Sequence, residues 1–162
     1  MALKRLLLTS LLCIAAHTAS AAQFNHDIWD SLLREHVFML NHGHASQVNY
    51  YGFAQNHGQL QRYLTQLSAV KESDFSDWDK SEQLAFLINA YNAFTVEMML
   101  RSYASFATLR IYAPVTIDWQ LRLMSMMKNQ RDIKFIFLFG KTLSLNDIEQ
   151  GMIRKRGNFN DP

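Results

Sequence analysis

The chain has 162 residues, of which 49% are hydrophobic and 19% charged, with 16 basic and 14 acidic side chains. That length supports one domain rather than two, and that composition excludes a disordered, collagen-like or low-complexity chain. A net charge of +2 is too even for a dedicated nucleic-acid binder, which carries a basic face.

The N-terminus reads as an address. Lys4 and Arg5 precede an eleven-residue apolar run from Leu6 to Ala16, and small residues follow from Thr18 to Ala22. This is the order of a secretory signal peptide, residues 1–22. Ala19-Ser20-Ala21 and Ser20-Ala21-Ala22 both satisfy the small-x-small rule, so cleavage is expected after Ala21 or Ala22. The run is too short to span a bilayer as a helix, and an uncleaved anchor is the competing reading. Lipid attachment at Cys13 does not fit, because Leu12 stands where that signal needs a small residue. The expected location is the periplasm or the exterior, with no transmembrane segment after cleavage. Cleavage removes Lys4 and Arg5 and no acid, which leaves 14 charges of each sign. It also removes Cys13, the only cysteine, so the mature chain has no disulfide and no thiolate nucleophile. Its stability must then come from packing, even in an oxidising compartment.

Residues 26–40 place Ile28, Trp29, Leu32, Leu33, Val37 and Leu40 at helical spacing, which predicts an amphipathic helix. Asn41 to Asn49 reads as a polar loop around Gly43. Residues 55–69 put Leu60, Tyr63, Leu64 and Leu67 on one face of a second helix, and Lys71 to Asp77 reads as a charged connector. For the third helix, Ser76 and Asp79 form a candidate capping box, and Asp77 and Asp79 suit the positive end of the helix dipole. From Gln83 to Val96 there is no charge at all. The run is too short and too rich in amides for a membrane span, which predicts a buried central helix from about Trp78 to Tyr103. Residues 103–117 give no regular pattern and are interrupted by Pro114. Ile117, Leu121, Met124 and Met127 are spaced for another helix. Lys134 to Phe139 is β-prone with no evident partner strand, and Gly140-Lys141 reads as a turn. Ser144-x-x-Asp147 is a capping box for a last helix that contains Gly151 and is closed by Gly157. These elements predict a predominantly helical α+β single domain over residues 23–162, built around the central helix, with a small β element near residues 134–139.

One stripe on the central helix is chemically conspicuous. Glu82, Ala85, Phe86, Asn89, Asn92, Ala93 and Val96 fall within an arc of about 120°. A buried carboxylate needs a partner, so Glu82 is either part of a structural network with Asn89 and Asn92 or an orienting or acid/base carboxylate at a site. His26, His36, His42, His44 and His57 all lie near the mature N-terminus. The His42-x-His44 pair has no nearby acid or cysteine to complete a metal site. Met98, Met99, Met124, Met126 and Met127 read as core filler rather than a copper set. Tyr50-Tyr51, Trp78 and Trp119 read as packing anchors. No glycine-rich phosphate loop, nucleophile elbow or zinc-protease motif is present. No cofactor and no metal are expected.

Several of these stretches resemble one family. Asn49-Tyr50 with Gly52-Phe53, then Leu60, Tyr63-Leu64 and Leu67-Ser68, then Trp78, Glu82 to Phe86 and Ile88 to Ala93 are similar to the domain of unknown function 547 family. So are Phe139-Gly140-Lys141, Leu143-Ser144-Leu145 and Asp147-Ile148-Glu149. The similarity runs over about residues 26–162, and its most specific part is the E-Q-x-x-F-x-I-N-A-Y-N-A run that begins at Glu82. The resemblance implies a domain that continues past an acidic-Pro pair like Asp161-Pro162 into a segment with a His and then a Cys. With the residue matching Glu82, these look like a thiol-hydrolase set in which a His base activates a thiolate and a carboxylate orients the His. This sequence has no cysteine after Cys13 and no matching His. The expectation is therefore an exported, inactive, C-terminally incomplete portion of such a domain, whose parent acts on a peptide or small molecule. The alternative is a non-catalytic binding or scaffold module with a cell-envelope protein as partner.

Overall fold

The computed structural model describes residues 24–110 and 130–159. The expected leader, Pro114 and the helix expected over residues 117–127 lie outside them. In chain order the elements are α1 (Asp27–His36), β1 (Val37–Leu40), β2 (Ala45–Val48), α2 (Tyr50–Gln55), α3 (His57–Ala69), α4 (Glu72–Asp77), α5 (Lys80–Arg110), β3 (Ile136–Leu138), β4 (Lys141–Leu143) and α6 (Asp147–Ile153). The fold is α+β and mostly helical, with two separate two-stranded antiparallel sheets among the described residues.

α1 buries Trp29, Leu32 and His36, a 3–4 spacing that faces the core. It is shorter than its apolar pattern predicts. Val37 to Leu40 leave the helix and pair with Ala45 to Val48, in the register Val37↔Val48 to Leu40↔Ala45. The cause lies in the segment read as a polar loop. His42 and Gly43 both adopt left-handed backbone (φ 56° and 94°), which reverses the chain tightly enough for the flanking residues to zip together. Phe38, Met39 and Leu40 remain exposed on this hairpin.

Asn49 caps α2, its Oδ1 accepting the Gly52 amide at 3.0 Å. α3 then buries Leu60, Tyr63, Leu64 and Leu67, the face expected. The charged connector after it is not a loop: Glu72–Asp77 forms α4, with acids in its first turn that suit the helix dipole. Ser76 lies inside α4 and donates to Glu72 O, so it does not cap the next helix. Asp79 alone does that. Its Oδ1 accepts the Glu82 amide at 2.8 Å and the Ser81 hydroxyl at 2.6 Å. These hydrogen bonds, the Ser81 hydroxyl first, hold the Asp79 carboxyl below the usual carboxylate range.

α5 has 31 residues, about 46 Å of helix at 1.5 Å per residue. Phe86, Leu87, Ala90, Ala93, Phe94, Val96, Met98 and Leu100 are buried along it. On one side it meets α2 and α3, which carry Phe53, Leu60 and Tyr63, and on another it meets α6, with Ile148. Each fully buried large side chain contributes about 1.5–3 kcal/mol of transfer free energy. A narrow face stays open among the described residues: Ser81, Ala85, Ile88 and Asn92 are exposed, Ile88 by 42%. The β-prone run near residue 134 has a partner after all. Ile136–Leu138 pairs with Lys141–Leu143 through a Phe139-Gly140 turn, and Ile136 and Leu138 face the core. The capping box at Ser144 is present in full. The Ser144 amide donates to Asp147 Oδ2 at 2.8 Å and the Asp147 amide to Ser144 Oγ at 3.1 Å. The helix it starts is wound as a π-helix over Asp147–Ile153.

Gly52 is a tight point of this packing. A Cβ there would lie 2.5 Å from His36 Nδ1 and 2.8 Å from Asn49 Nδ2, and the His36 ring is itself buried. Gly52→Ala is expected to destabilise the protein by roughly 1–3 kcal/mol. The measurement is the urea midpoint at constant slope. An unchanged midpoint would mean that the His36 ring moves aside freely.

Candidate functional site

Glu82 occupies the first turn of α5, three residues after its Asp79 cap. In a reciprocal capping box its carboxylate would return to the cap amide. Instead it reaches across the molecule, where Oε1 accepts the backbone N–H of Phe24 at 3.1 Å. Among the described residues no hydrogen bond reaches its other oxygen. Around this contact sits an aromatic cluster. The Phe24 ring lies edge-on to Phe86 at 5.1 Å, and Trp78 meets Phe86 at 5.3 Å. His26, two residues on, places Nδ1 2.6 Å from the hydroxyl of the fully buried Tyr63. Tyr63 also stacks on Trp29 with ring centroids 5.7 Å apart.

The electrostatics of the cluster follow from its burial. Loss of water pushes the His26 imidazole below its ordinary value, and the Glu82 charge works in the opposite direction without overcoming it. Burial pushes the Tyr63 phenol upward. Glu82, His26 and Tyr63 therefore form a small group of titratable side chains at the start of the central helix.

Of the other stripe residues, Asn89 is half-buried and Asn92 is exposed. At 100° per residue Asn89 shares a flank with Glu82, while Asn92 stands about 80° away on the open face. No hydrogen bond joins Glu82, Asn89 and Asn92 to one another among the described residues.

Two further polar centres were not singled out by sequence reasoning. Glu97 is 2% exposed, deep on α5, and three donors satisfy it. Arg101 Nε donates to Oε1 at 2.7 Å; His57 Nε2 and Gln61 Nε2 each donate to Oε2 at 2.8 Å. The 3.0 Å approach of His57 Nε2 to Gln61 Nε2 is then two donors sharing one acceptor. The legible signal was the Glu97–Arg101 spacing, an i,i+4 ion pair just after the charge-free run; His57 has no sequence mark. On α6, Glu149 pairs with Arg131 and Arg154 and accepts the Tyr91 hydroxyl at 3.2 Å. His42 and His44 are exposed at the first hairpin's turn. Among the described residues no three His, Cys, Asp or Glu side chains gather to hold a metal, and no helix is long and apolar enough to cross a membrane.

The depressed His26 sets a pH dependence. The unfolded imidazole takes its proton near pH 6.5 and the folded one only at lower pH, so the folded state binds fewer protons between the two values. Stability therefore rises with pH through that window and falls as pH drops below 6.5. His26→Gln is expected to flatten this part of the stability profile. Urea titrations of both proteins on either side of that value are the measurement, and parallel profiles would contradict the assignment.

The match to known proteins falls on the elements just described. No curated protein and no solved structure matches the chain. One family profile, described as "Protein of unknown function, DUF547", matches residues 75–162. The matched stretch starts at Phe75 in α4 and includes all of α5, the β3–β4 hairpin and α6, a little over half of the chain. It carries Glu82, Asn89 and Asn92, while Phe24, His26 and Tyr63 precede it. The chain belongs to the DUF547 family.

Proposed function

We propose that the protein is exported and that its fold supplies the orienting carboxylate, Glu82, of a thiol-hydrolase-like Cys–His–Glu arrangement. One observation supports this reading above others. The Glu82 carboxylate is held at one oxygen by the Phe24 amide, beside the open Ser81–Ala85–Ile88–Asn92 face of α5. A carboxylate fixed at one oxygen, at a helix N-terminus, is well arranged to accept an imidazole N–H at the other. The imidazole would then activate a thiolate for attack on an amide or ester carbon of a peptide or small molecule. Outside the expected leader these 162 residues contain no thiol, so they are expected to be inactive by themselves. Iodoacetamide should find no functional target among residues 23–162. Hydrolysis that this reagent abolishes would contradict the reading.

A second reading is favoured by the same contact. The Phe24–Glu82 hydrogen bond spans 58 positions of sequence and ties the N-terminal segment to α5. In a non-catalytic envelope binding or scaffold module, that tie would be the whole purpose of Glu82. Glu82→Gln weakens the charge-assisted bond to Phe24 under either reading and should destabilise the protein by roughly 1–3 kcal/mol. The two separate in a family domain that carries the His and Cys: an orienting carboxylate predicts that the matching substitution lowers the hydrolytic rate of the folded enzyme, and a purely structural tie predicts that it leaves that rate unchanged.

Export is supported by the basic, apolar and small-residue order of residues 1–22. Phe24 is already tied to α5, so cleavage after Ala21 or Ala22 leaves that contact intact. Sequencing the N-terminus of the exported protein should begin at Ala22 or Gln23. A product that starts at Met1 in the cytoplasm would rule export out.

A further inference from the structure

A cleft of about 390 Å³ opens between α4, the first turns of α5, the β3–β4 turn and the segment after α6. It lies on the other flank of α5 from Glu82 and is independent of the function proposed above. Its size is that of a small-molecule site, and two features of its lining break local structural preferences.

The first is Lys80. It is the first residue of α5, where the helix dipole disfavours a cation. Among the described residues no carboxylate lies within ion-pair distance of its ammonium, which is held by neutral groups instead. It donates to Gln83 Oε1 at 3.1 Å and sits 5.5 Å from the centre of the Phe159 ring. Gln83 is only 6% exposed, and its Nε2 donates to Phe75 O and Trp78 O, both at 3.0 Å. The amide cannot turn over without losing both bonds, so its oxygen stays aimed at Lys80. Glu72, the acid in the cleft, is engaged through both oxygens by Lys141, and the cap residue Asp79 is turned to the Ser81 hydroxyl and the Glu82 amide. Among the described residues the cleft thus presents one positioned positive charge.

The second feature is Phe139. Its backbone is left-handed (φ 54°), where asparagine, aspartate or glycine is ordinary and a bulky aromatic is an outlier. The conformation sets a buried ring against Phe75, with centroids 4.7 Å apart, as an apolar wall of the cleft. Strain of this kind persists where the surroundings over-determine it, and it concentrates at ligand sites. Both departures meet in one cavity.

We propose that this cleft binds a small carboxylate with a flat apolar body, its charged head on the Lys80 ammonium and its body between Phe75, Phe139 and Phe159. The test is isothermal titration of the purified protein with hydrocinnamate and, separately, with its neutral amide. The carboxylate should bind saturably and about tenfold more tightly than the amide, the difference a charge-assisted contact supplies. Lys80→Met should abolish that preference while leaving amide binding within about twofold, and Lys80→Arg should retain it. Lys80 is exposed, so neither substitution disturbs the core. Equal affinity for acid and amide, no saturable binding of hydrocinnamate, or a preference that survives in Lys80→Met would each overturn the proposal.

Discussion

The uncharged apolar surface of α5 is what the other elements are assembled on. Phe86, Ala90, Ala93 and Phe94 are buried along it, and further on Glu97 meets its three donors. Packing of these side chains fixes how the helix is rotated against its neighbours. The exposed Asp79 carboxylate fixes only where the helix starts. The helices α2 and α3 cover one side of α5, and α6 another, because those are the directions in which that rotation points its apolar residues.

Three glutamates near this helix show how one kind of group can be placed under different constraints. Glu97 is buried and fully satisfied, with Arg101 balancing its charge, so it carries no spare bonding capacity among the described residues. Glu149 sits between two arginines and a tyrosine and fastens α6 to α5. Glu82 accepts one backbone amide and borders the open face. Removing a partner from Glu97 would leave a charge without compensation in the interior, which proteins tolerate poorly. Glu82 is the one of the three whose local geometry leaves room for a further partner.

Much of the framework was legible in the chain itself. The Leu60–Leu67 face of α3, the uncharged run of α5 and the Ser144–Asp147 box each rest on local periodicity or capping chemistry, which short windows of sequence contain. The first hairpin was not, because Val37 and Leu40 fit a helical pattern as well as a strand, and tight reversal at His42-Gly43 decided between them. α4 was missed because six mostly polar residues carry no apolar period, and the partner of β3 because a three-residue strand such as Lys141–Leu143 leaves little trace. At the site, Glu82 stood out as a polar residue on an apolar helix. Its partner did not: a backbone N–H distant in sequence has no residue signature. The Tyr63–His26 pair was hidden for the same reason, since nothing local relates two side chains from separate helical segments.

The winding of α6 has a consequence for how related chains compare. A π-helical turn is an α-helix that has absorbed one extra residue, and the wider ring puts the Arg154 amide on Glu149 O, five residues back. Arg131, Tyr91 and Arg154 converge on Glu149 in that widened register. A relative lacking one residue between Asp147 and Ile153 could wind this segment as an ordinary α-helix and still dock it on α5. It would do so with the side chains beyond the deletion rotated out of the cluster. A one-residue gap at this point of an alignment would therefore mark the loss of a polar junction, with the fold itself left standing.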